Sequence, residues 1–346
     1  MSASPSAALL VRAAGPGTTI QDLGRVGWQR FGVTTAGAMD RLALQVANRL
    51  VGNPPGEAAI EFLLQGGEFV VETDSLRLAV TGADAALAID GEPAAGWCSH
   101  RLRQGQVIRI GAARGGVYAY LAVAGGFDLP PVLGSRSTHV RSGIGGYGGR
   151  ALRAGDRLPL LASTAPGGQE RCLPEGERPH YRRTVRAVLG PQDDYFTGAG
   201  IDTLFGAEYE VTMQSDRMGI RLAGPGIEHA KGFNIISDGI TAGCIQVPGA
   251  GAPIILMADR QSTGGYPKIA TVISADLPAV AQCPPGARLR FAPVGIEEAQ
   301  AARRAQDEWL RTVPARLVAA REAGGVDLER LLEANLISGV TAGDLY

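Results

Sequence analysis

Residues 258–271, ADRQSTGGYPKIAT, bring Asp259, Arg260, Gln261, Ser262, Thr263, Tyr266 and Lys268 into one short connection. The set holds both charge signs, an amide, hydroxyls and a phenol. Such groups can bind a polar substrate, hold developing charge or move a proton. A plain hairpin turn needs only about two to five residues. Polar loops on a rigid scaffold commonly carry binding or catalytic groups. A solvated surface loop with a salt bridge fits the same composition, and residue types alone leave both readings open.

The flanking residues explain how such a loop could be held. Residues 253–257 (PIILM) read as a buried strand, and 269–273 (IATVI) as a second one rich in β-branched side chains. Gly264, Gly265 and Pro267 set the turn. Residues 244–248 (CIQVP) form a further strand and carry Gln246. Upstream, the strand at 8–11 leads into a glycine-rich segment, 15–25, with Gln21, Asp22 and Arg25 close together. Its spacing is not that of a phosphate-binding P-loop. Asp40 starts a helix whose apolar face is Leu42, Leu44, Val46, Ala47 and Leu50, stopped by Gly52 and Pro54. Alternating runs at 60–62, 68–72, 75–80, 106–110 and 116–123 read as strands, with Gly82 as a break. The glycine-rich 143–150 resembles a nucleotide loop, but no Lys-Ser/Thr follows it, and a flexible turn or lid is the competing reading. Residues 162–179, rich in Pro, Gly, Ser, Thr and Glu, read as a linker. Beyond it, strands are expected at 183–189, 208–212 and 288–291, residues 215–222 read as a turn into another strand, and a short helix opens at 190–196. Residues 296–320 read as a long exposed helix with a stripe of Trp309, Leu310 and Val313, which Pro314 should kink or divide. A short helix is expected at 327–335 and a disordered lead at 1–7.

Composition narrows the function classes. The chain has 346 residues, 45% hydrophobic and 19% charged, with a net charge of -1. That argues for about two globular domains and against a global field for nucleic acid or anionic membrane. Glycine, at 49 residues, separates many short β-like runs, the pattern of a barrel or sandwich. Cys98, Cys172, Cys244 and Cys283 are far apart in sequence and read as buried thiols in a reducing cytosol, not as a disulfide framework or zinc site. The four histidines, His100, His139, His180 and His229, lack metal-ligand spacing, so no metal is expected. No stretch is long and apolar enough to span a bilayer, no leader is visible at the N-terminus, and a cytoplasmic location is expected.

Several motifs together resemble a known family. They are GPGTTIQDLGRVGWQRFGVTTAGAMD (15–40), LGSRST (133–138), GRALRAGDRL (149–158), GPQDDYF (190–196), SDRMGIRL (215–222), SDGI (237–240), IQVPG (245–249) and ADRQSTGGYPKIATVI (258–273). In this order they resemble the carboxyltransferase domain, subdomain A and B type. That family includes the C-type subunit of prokaryotic 5-oxoprolinase, the second subunit of allophanate hydrolase and part of urea carboxylase (urea amidolyase). Two local departures stand out: Asp238 where Glu is frequent, and Ser262 where Thr is usual.

The resemblance implies a mainly β fold of two cyclophilin-like β-barrel modules, at 8–165 and 183–295. A linker at 166–182 would join them and a helical tail at 296–346 would follow. It implies chemistry on an amide-like nitrogen: ATP-driven opening of 5-oxoproline to glutamate, together with a B-type subunit of the same family and an A-type lactam hydrolase subunit. The alternatives are a urea carboxylase or allophanate component taking carboxybiotin from a partner, and a non-catalytic regulator of a kinase-inhibitor-like partner. ATP would act at the level of the complex, at a site the motifs do not locate. Biotin would arrive on a partner, since no lysine of this chain is flanked by Met. Breaking amide resonance needs donors for oxyanion charge. The resemblance puts Asp259, Arg260, Gln261 and Lys268 forward as catalytic. Asp259 would orient Arg260 or accept a proton. Gln246, Thr263, Tyr266, Gln21, Asp22, Arg25 and Asp40 would bind substrate, the last four from the first module. For Asp22 with Arg25 and Asp40 with Arg41, local bracing is the competing role. Arg217 is expected to be a brace.

Overall fold

The computed structural model describes residues 7–320. The expected helix at 327–335 and residues 1–6 of the expected lead lie outside them. Ala7 is tied in, since its carbonyl accepts from Leu160 N at 3.0 Å.

The first half of the chain folds as a nine-stranded sheet curled into a half-barrel. Strand order is Thr19–Gln21, Ala59–Leu63, Val107–Val123, Gly67–Glu72, Ala8–Ala14 and Arg157–Pro159. Ser75–Ile89 pairs with Val107–Val123 and carries Glu92–Ala94 and Ser99–Arg103. The strands expected at 106–110 and 116–123 are one long strand. Likewise, the strand from 75 continues through Gly82 to Ile89. Register shifts at Gly82/Asp84 and Ala85/Leu87 bend the pair. Gly82 sits at φ 94°, and a Cβ there would lie 2.4 Å from Tyr118 O, so the glycine marks a bulge and not a strand end. Leu9, Phe62, Phe69, Leu78, Ile108 and Leu121 fill the half-barrel.

The second half closes. Its seven strands run Thr184–Leu189, Lys268–Val272, Cys244–Gln246, Ile254–Leu256, Gly219–Ala223, Glu208–Val211 and Arg288–Pro293. Parallel pairing of Thr184–Leu189 with Arg288–Pro293 completes the ring. Alternation decides the facing: Leu289 and Phe291 are buried, while Arg288 and Arg290 point out to Glu208 at 3.0 and 3.3 Å. The short helix expected from residue 190 is only a 3-10 turn at Asp193–Tyr195. The α-helix starts later, at Gly198–Gly206, capped by Thr197.

The helix Arg41–Val51 covers the half-barrel and contacts the tail helix Ile296–Arg316. Asp40 is its N-cap, accepting from Ala43 N at 3.0 Å. One apolar cluster runs from this helix through Trp97 and Tyr118 into the barrel interior, so the two halves share a core. The tail helix passes through Pro314 undivided. The proline falls in the last turn, near enough to the C-terminus that the lost hydrogen bond does not split the helix.

One sequence expectation fails outright: Cys98 and Cys172 form a disulfide across 74 residues. Arg171–Cys172 folds back beside Ser99–Arg103, with Leu173 N on Trp97 O at 2.9 Å and Arg171 N on Ser99 Oγ at 2.9 Å. Linear spacing gives no hint of that return. Arg171–Cys172 also pairs with Val318–Ala319 beyond the tail helix, and Glu170 holds Arg77 at 2.8 Å. The stretch between the two halves is therefore fastened down. Cys244 and Cys283 are buried thiols, as expected.

Candidate active site

The loop after Ile254–Leu256 is anchored throughout. Thr263–Gly264 pairs antiparallel with Asp238–Gly239, Ile240 N donates to Ser262 O at 3.0 Å, and Ile235 N to Gly265 O at 2.9 Å. From the first half, Thr34 Oγ1 donates to Arg260 O at 2.9 Å. At Gly264 an added Cβ would lie 2.6 Å from Gln246 Nε2. The absence of a side chain there lets the loop close on Gln246.

Asp259 lies at the centre of the seam between the halves, but it does not orient Arg260. It takes Arg217 bidentately, at 2.9 Å for both bonds. Arg217 also binds Glu61 and donates to Gly37 O at 2.7 Å, bridging the halves. Glu61 accepts from Met39 N at 2.8 Å and Tyr120 Oη at 2.7 Å, and Tyr120 Oη accepts from Asp40 N at 2.7 Å. Asp40 Oδ2 accepts from Gln282 Nε2 at 2.9 Å and Tyr181 Oη at 2.5 Å. Burial works against the Arg217 charge, yet Glu61 and Asp259 overcome it and raise its pKa. Burial raises Asp40 and Glu61 above the usual carboxylate range, partly offset for Glu61 by Arg217. The brace expected of Arg217 is what the structure gives it.

Beside this seam lies an open cleft. One chamber, about 500 Å³, is lined by Gln246, Gln261 and Tyr266 with Arg141, Asp216 and Arg221. A second, about 540 Å³, shares Arg141, Asp216 and Met218 with it and adds His139, Arg217 and Asp259. Gln246 is buried and its Nε2 donates to Tyr266 O at 3.2 Å, while Gln261 and Tyr266 are exposed. Asp216 accepts from Met218 N at 2.8 Å and Gly219 N at 3.1 Å, which fixes the turn into Gly219–Ala223. His139 Nδ1 lies 2.9 Å from Ser142 Oγ. Burial pushes its pKa down, with Asp259 opposing. The cleft thus offers amide donors, a phenol, three guanidinium groups and an imidazole.

The other expected residues are placed elsewhere. Lys268 is buried with Nζ on Asp238 Oδ2 at 2.6 Å and Gly239 O at 3.1 Å, so Asp238 pins it from the neighbouring ribbon. Thr263 is exposed on that ribbon. Arg260 is buried and lines a separate inner cavity. Asp22 does not pair with Arg25. It accepts from Ser135 Oγ at 2.7 Å, Arg136 N at 2.6 Å, Gly24 N at 2.7 Å and Ser137 Oγ at 2.5 Å, stapling residues 135–137 to the early loop. Gln21 Nε2 donates to Thr138 O at 3.0 Å, and Arg25 donates to Ser137 O. Asp40 braces its helix and the seam, not Arg41. Three of the glycines of 143–150 are packed shut: a Cβ at Gly145 would lie 2.0 Å from Ser137 O, one at Gly146 1.9 Å from Thr138 Oγ1, and one at Gly149 2.0 Å from Gly143 O. They allow close backbone packing and do not open a phosphate cradle.

Glu61, His139, Arg141, Asp216 and Tyr120 are residues of the seam or the cleft that sequence reasoning missed. Glu61 alone left a signal, a carboxylate inside the apolar run AIEFL.

Comparison with known proteins identifies the family. Residues 31–293 match the family model described as carboxyltransferase domain, subdomain A and B. The chain is 40% identical over 292 residues to the C-type subunit of Haemophilus influenzae 5-oxoprolinase, covering 84% of this chain and 93% of that one. To the C-type subunit of Escherichia coli 5-oxoprolinase it is 39% identical over 309 residues, covering 88% and 97%. Among solved structures it superposes on the urea amidolyase of K. lactis with a TM-score of 0.84 at 30% identity. That match covers 90% of this chain and 20% of the other.

Proposed function

The chain belongs to the carboxyltransferase domain, subdomain A and B family, and from that membership we propose that it acts as the C-type subunit of an ATP-dependent 5-oxoprolinase. The observation that carries this reading is identity. The chain is 40% and 39% identical to two C-type 5-oxoprolinase subunits, against 30% to the urea amidolyase. The substrate, 5-oxoproline, is a small lactam with a carboxylate. In this reading Gln246 and Gln261 donate to the lactam oxygen as charge develops there, and Tyr266 closes over the ring. Arg141 or Arg221 takes the substrate carboxylate. Asp259 keeps Arg217 in place, and Lys268 with Asp238 braces the loop ribbon. The net reaction adds water across the C–N bond, giving a carboxylate and an amine, with ATP hydrolysis as the driving step. ATP is assigned to the assembled complex, because the residues of 143–150 do not fit a phosphate. A B-type subunit of the same family and an A-type lactam hydrolase would complete the enzyme. Phe233, exposed against Gly249, and Ile236, exposed next to the Ile235 that bonds Gly265, are the surface we assign to such a partner. The compartment we propose is the cytoplasm, where ATP is supplied, with burial of Cys98 shielding the Cys98–Cys172 bond from reduction there. No helix among the described residues is long and apolar enough to cross a membrane.

The superposition on urea amidolyase favours a second reading, a carboxyltransferase component that receives carboxybiotin from a partner. One experiment separates the two. The chain is mixed with its A- and B-type partners, and ATP-dependent glutamate release from 5-oxoproline is measured beside ATP- and bicarbonate-dependent carboxylation of urea with a biotin carboxylase partner. Glutamate release above the A-plus-B background supports the first reading, and its absence removes it.

A further inference from the structure

On the far side of the loop from the cleft, a cavity of about 320 Å³ lies between the first half, the barrel and the tail helix. Its walls are largely apolar, with Leu23, Met39, Leu42 and Leu277 among them. Its charged lining residues, among the described residues, are three arginines and no acid: Arg41, Arg260 and Arg303. Each comes from a different element. Arg41 starts the helix Arg41–Val51, Arg260 stands in the loop, and Arg303 is on Ile296–Arg316.

Arg260 is 7% exposed. Its Nη1 reaches Met257 O at 3.2 Å and its Nη2 reaches Thr35 Oγ1 at 3.5 Å, both neutral and both long. Its Nε is sealed from solvent without a partner. A buried guanidinium normally finds a carboxylate or another anion, because desolvating a bare charge is costly. The groups around it do not supply one. Arg41 donates to Leu23 O, a neutral acceptor. Arg303 binds Asp307 at 2.9 Å, on the solvent side where both side chains are 46% exposed. Asp259 is the nearest carboxylate along the loop, and both its oxygens are taken by Arg217. Burial and then repulsion from Arg303 lower the pKa of Arg41, with Asp22 only partly offsetting them. At Arg260, Cys244 and Asp259 only partly offset burial and repulsion from Arg41. The cationic groups therefore sit close enough to repel each other, around a space large enough for a small molecule. Arg25 provides the contrast. It too is buried with unpartnered nitrogens, Nε and Nη1, but it does not line this cavity or either chamber of the cleft.

We propose that this cavity is a binding site for a small oxyanion, a carboxylate or a phosphate group, held by the fork of Arg260 and closed over by Arg41 and Arg303. Planar guanidinium forks match both ligand groups bidentately. The anion would neutralise the repulsion and fasten the loop, the first helix and the tail helix together. This inference rests on the cavity alone and stands whichever substrate the cleft takes.

Thermal melting of the whole chain tests it, with phosphate, 5-oxoproline and acetate each compared with chloride at matched ionic strength. At about 10 mM, phosphate or a carboxylate should raise Tm by about 2 °C or more over chloride, as a ligand specific to the folded state does. The arm that responds identifies the ligand group. Arg41→Gln and Arg303→Gln, both at the mouth and away from the cleft, should each at least halve that shift, and Arg260→Met should abolish it. Should Arg260→Met fail to fold, the two mouth variants decide. Absence of a shift with every anion overturns the proposal. So does a shift that Arg41→Gln and Arg303→Gln leave at full size.

Discussion

Replacing Arg217 by Met tests the seam that holds the loop. The side chain of Arg217 is 14% exposed and lies against Glu61 at 2% and Asp259 at 12%. Met keeps the apolar stem but removes the charge and the bonds to both carboxylates and to Gly37 O. Two buried carboxylates then stand without their cation. Breaking a buried pair from one side costs about 3–5 kcal/mol, because the partner charge stays behind. For a cooperative unit the size of one half of the chain, about 2–4 °C is lost per kcal/mol, so Tm should fall by about 6–20 °C. The loss depends on pH. Burial already raises Glu61 above its ordinary value of 4.5. Without Arg217 that rise grows, and the folded state binds more protons than the unfolded one above that value. Stability then falls as pH rises through the window, so the deficit of Arg217→Met is smaller near about pH 5 than near about pH 8. Adding Glu61→Gln should restore part of the lost stability. Urea melts of the parent, single and double variants at both pH values measure all three. A deficit below about 1 kcal/mol, or one that does not change with pH, would refute the charged seam.

Three further outcomes follow from the same geometry. Lys268→Met keeps volume and removes one ion pair to a half-exposed Asp238, so it should change stability by about 1 kcal/mol or less and leave turnover of the complex within about threefold. A large loss of turnover with normal melting would return Lys268 to the chemistry. Thiol titration of the denatured, unreduced protein should find only Cys244 and Cys283, whereas reactivity at all four cysteines would contradict the Cys98–Cys172 bond. Tyr266→Ala should raise KM for 5-oxoproline about fivefold or more with kcat little changed, the pattern of uniform binding loss. An unchanged KM would remove the Tyr266 ring from the substrate site.

The parts of this fold written in local pattern were legible. The alternation of strands, the Asp40 cap and the apolar stripe of its helix each follow from periods a single segment displays. The long motifs identified the family and the loop that carries Gln261 and Tyr266. What was hidden depended on distant pairing. Gly82 looks like a strand end because glycine usually punctuates, and only its partner strand reveals the bulge. Cys98 and Cys172 look isolated until residues 171–172 return beside Ser99–Arg103. Asp259 and Arg260 are neighbours in sequence, but Asp259 joins the cross-seam pair with Arg217 and Arg260 faces a separate cavity. Nothing in a linear reading tells which of two adjacent charges goes to which side of a loop. Asp238, a departure from the usual Glu, reads as a loss of reach until the ribbon brings it to Lys268.

Whether the chemistry takes place in this cleft is decided by the turnover of the reconstituted complex carrying Gln261→Ala. Gln261 is exposed in the cleft and outside the seam network, so the variant should fold and assemble like the parent. If its amide holds charge on the lactam oxygen, kcat for glutamate release should fall by about 100-fold, the size typical of losing one oxyanion donor. A complex that assembles normally and turns over at the parental rate would contradict the placement of the chemistry in this cleft.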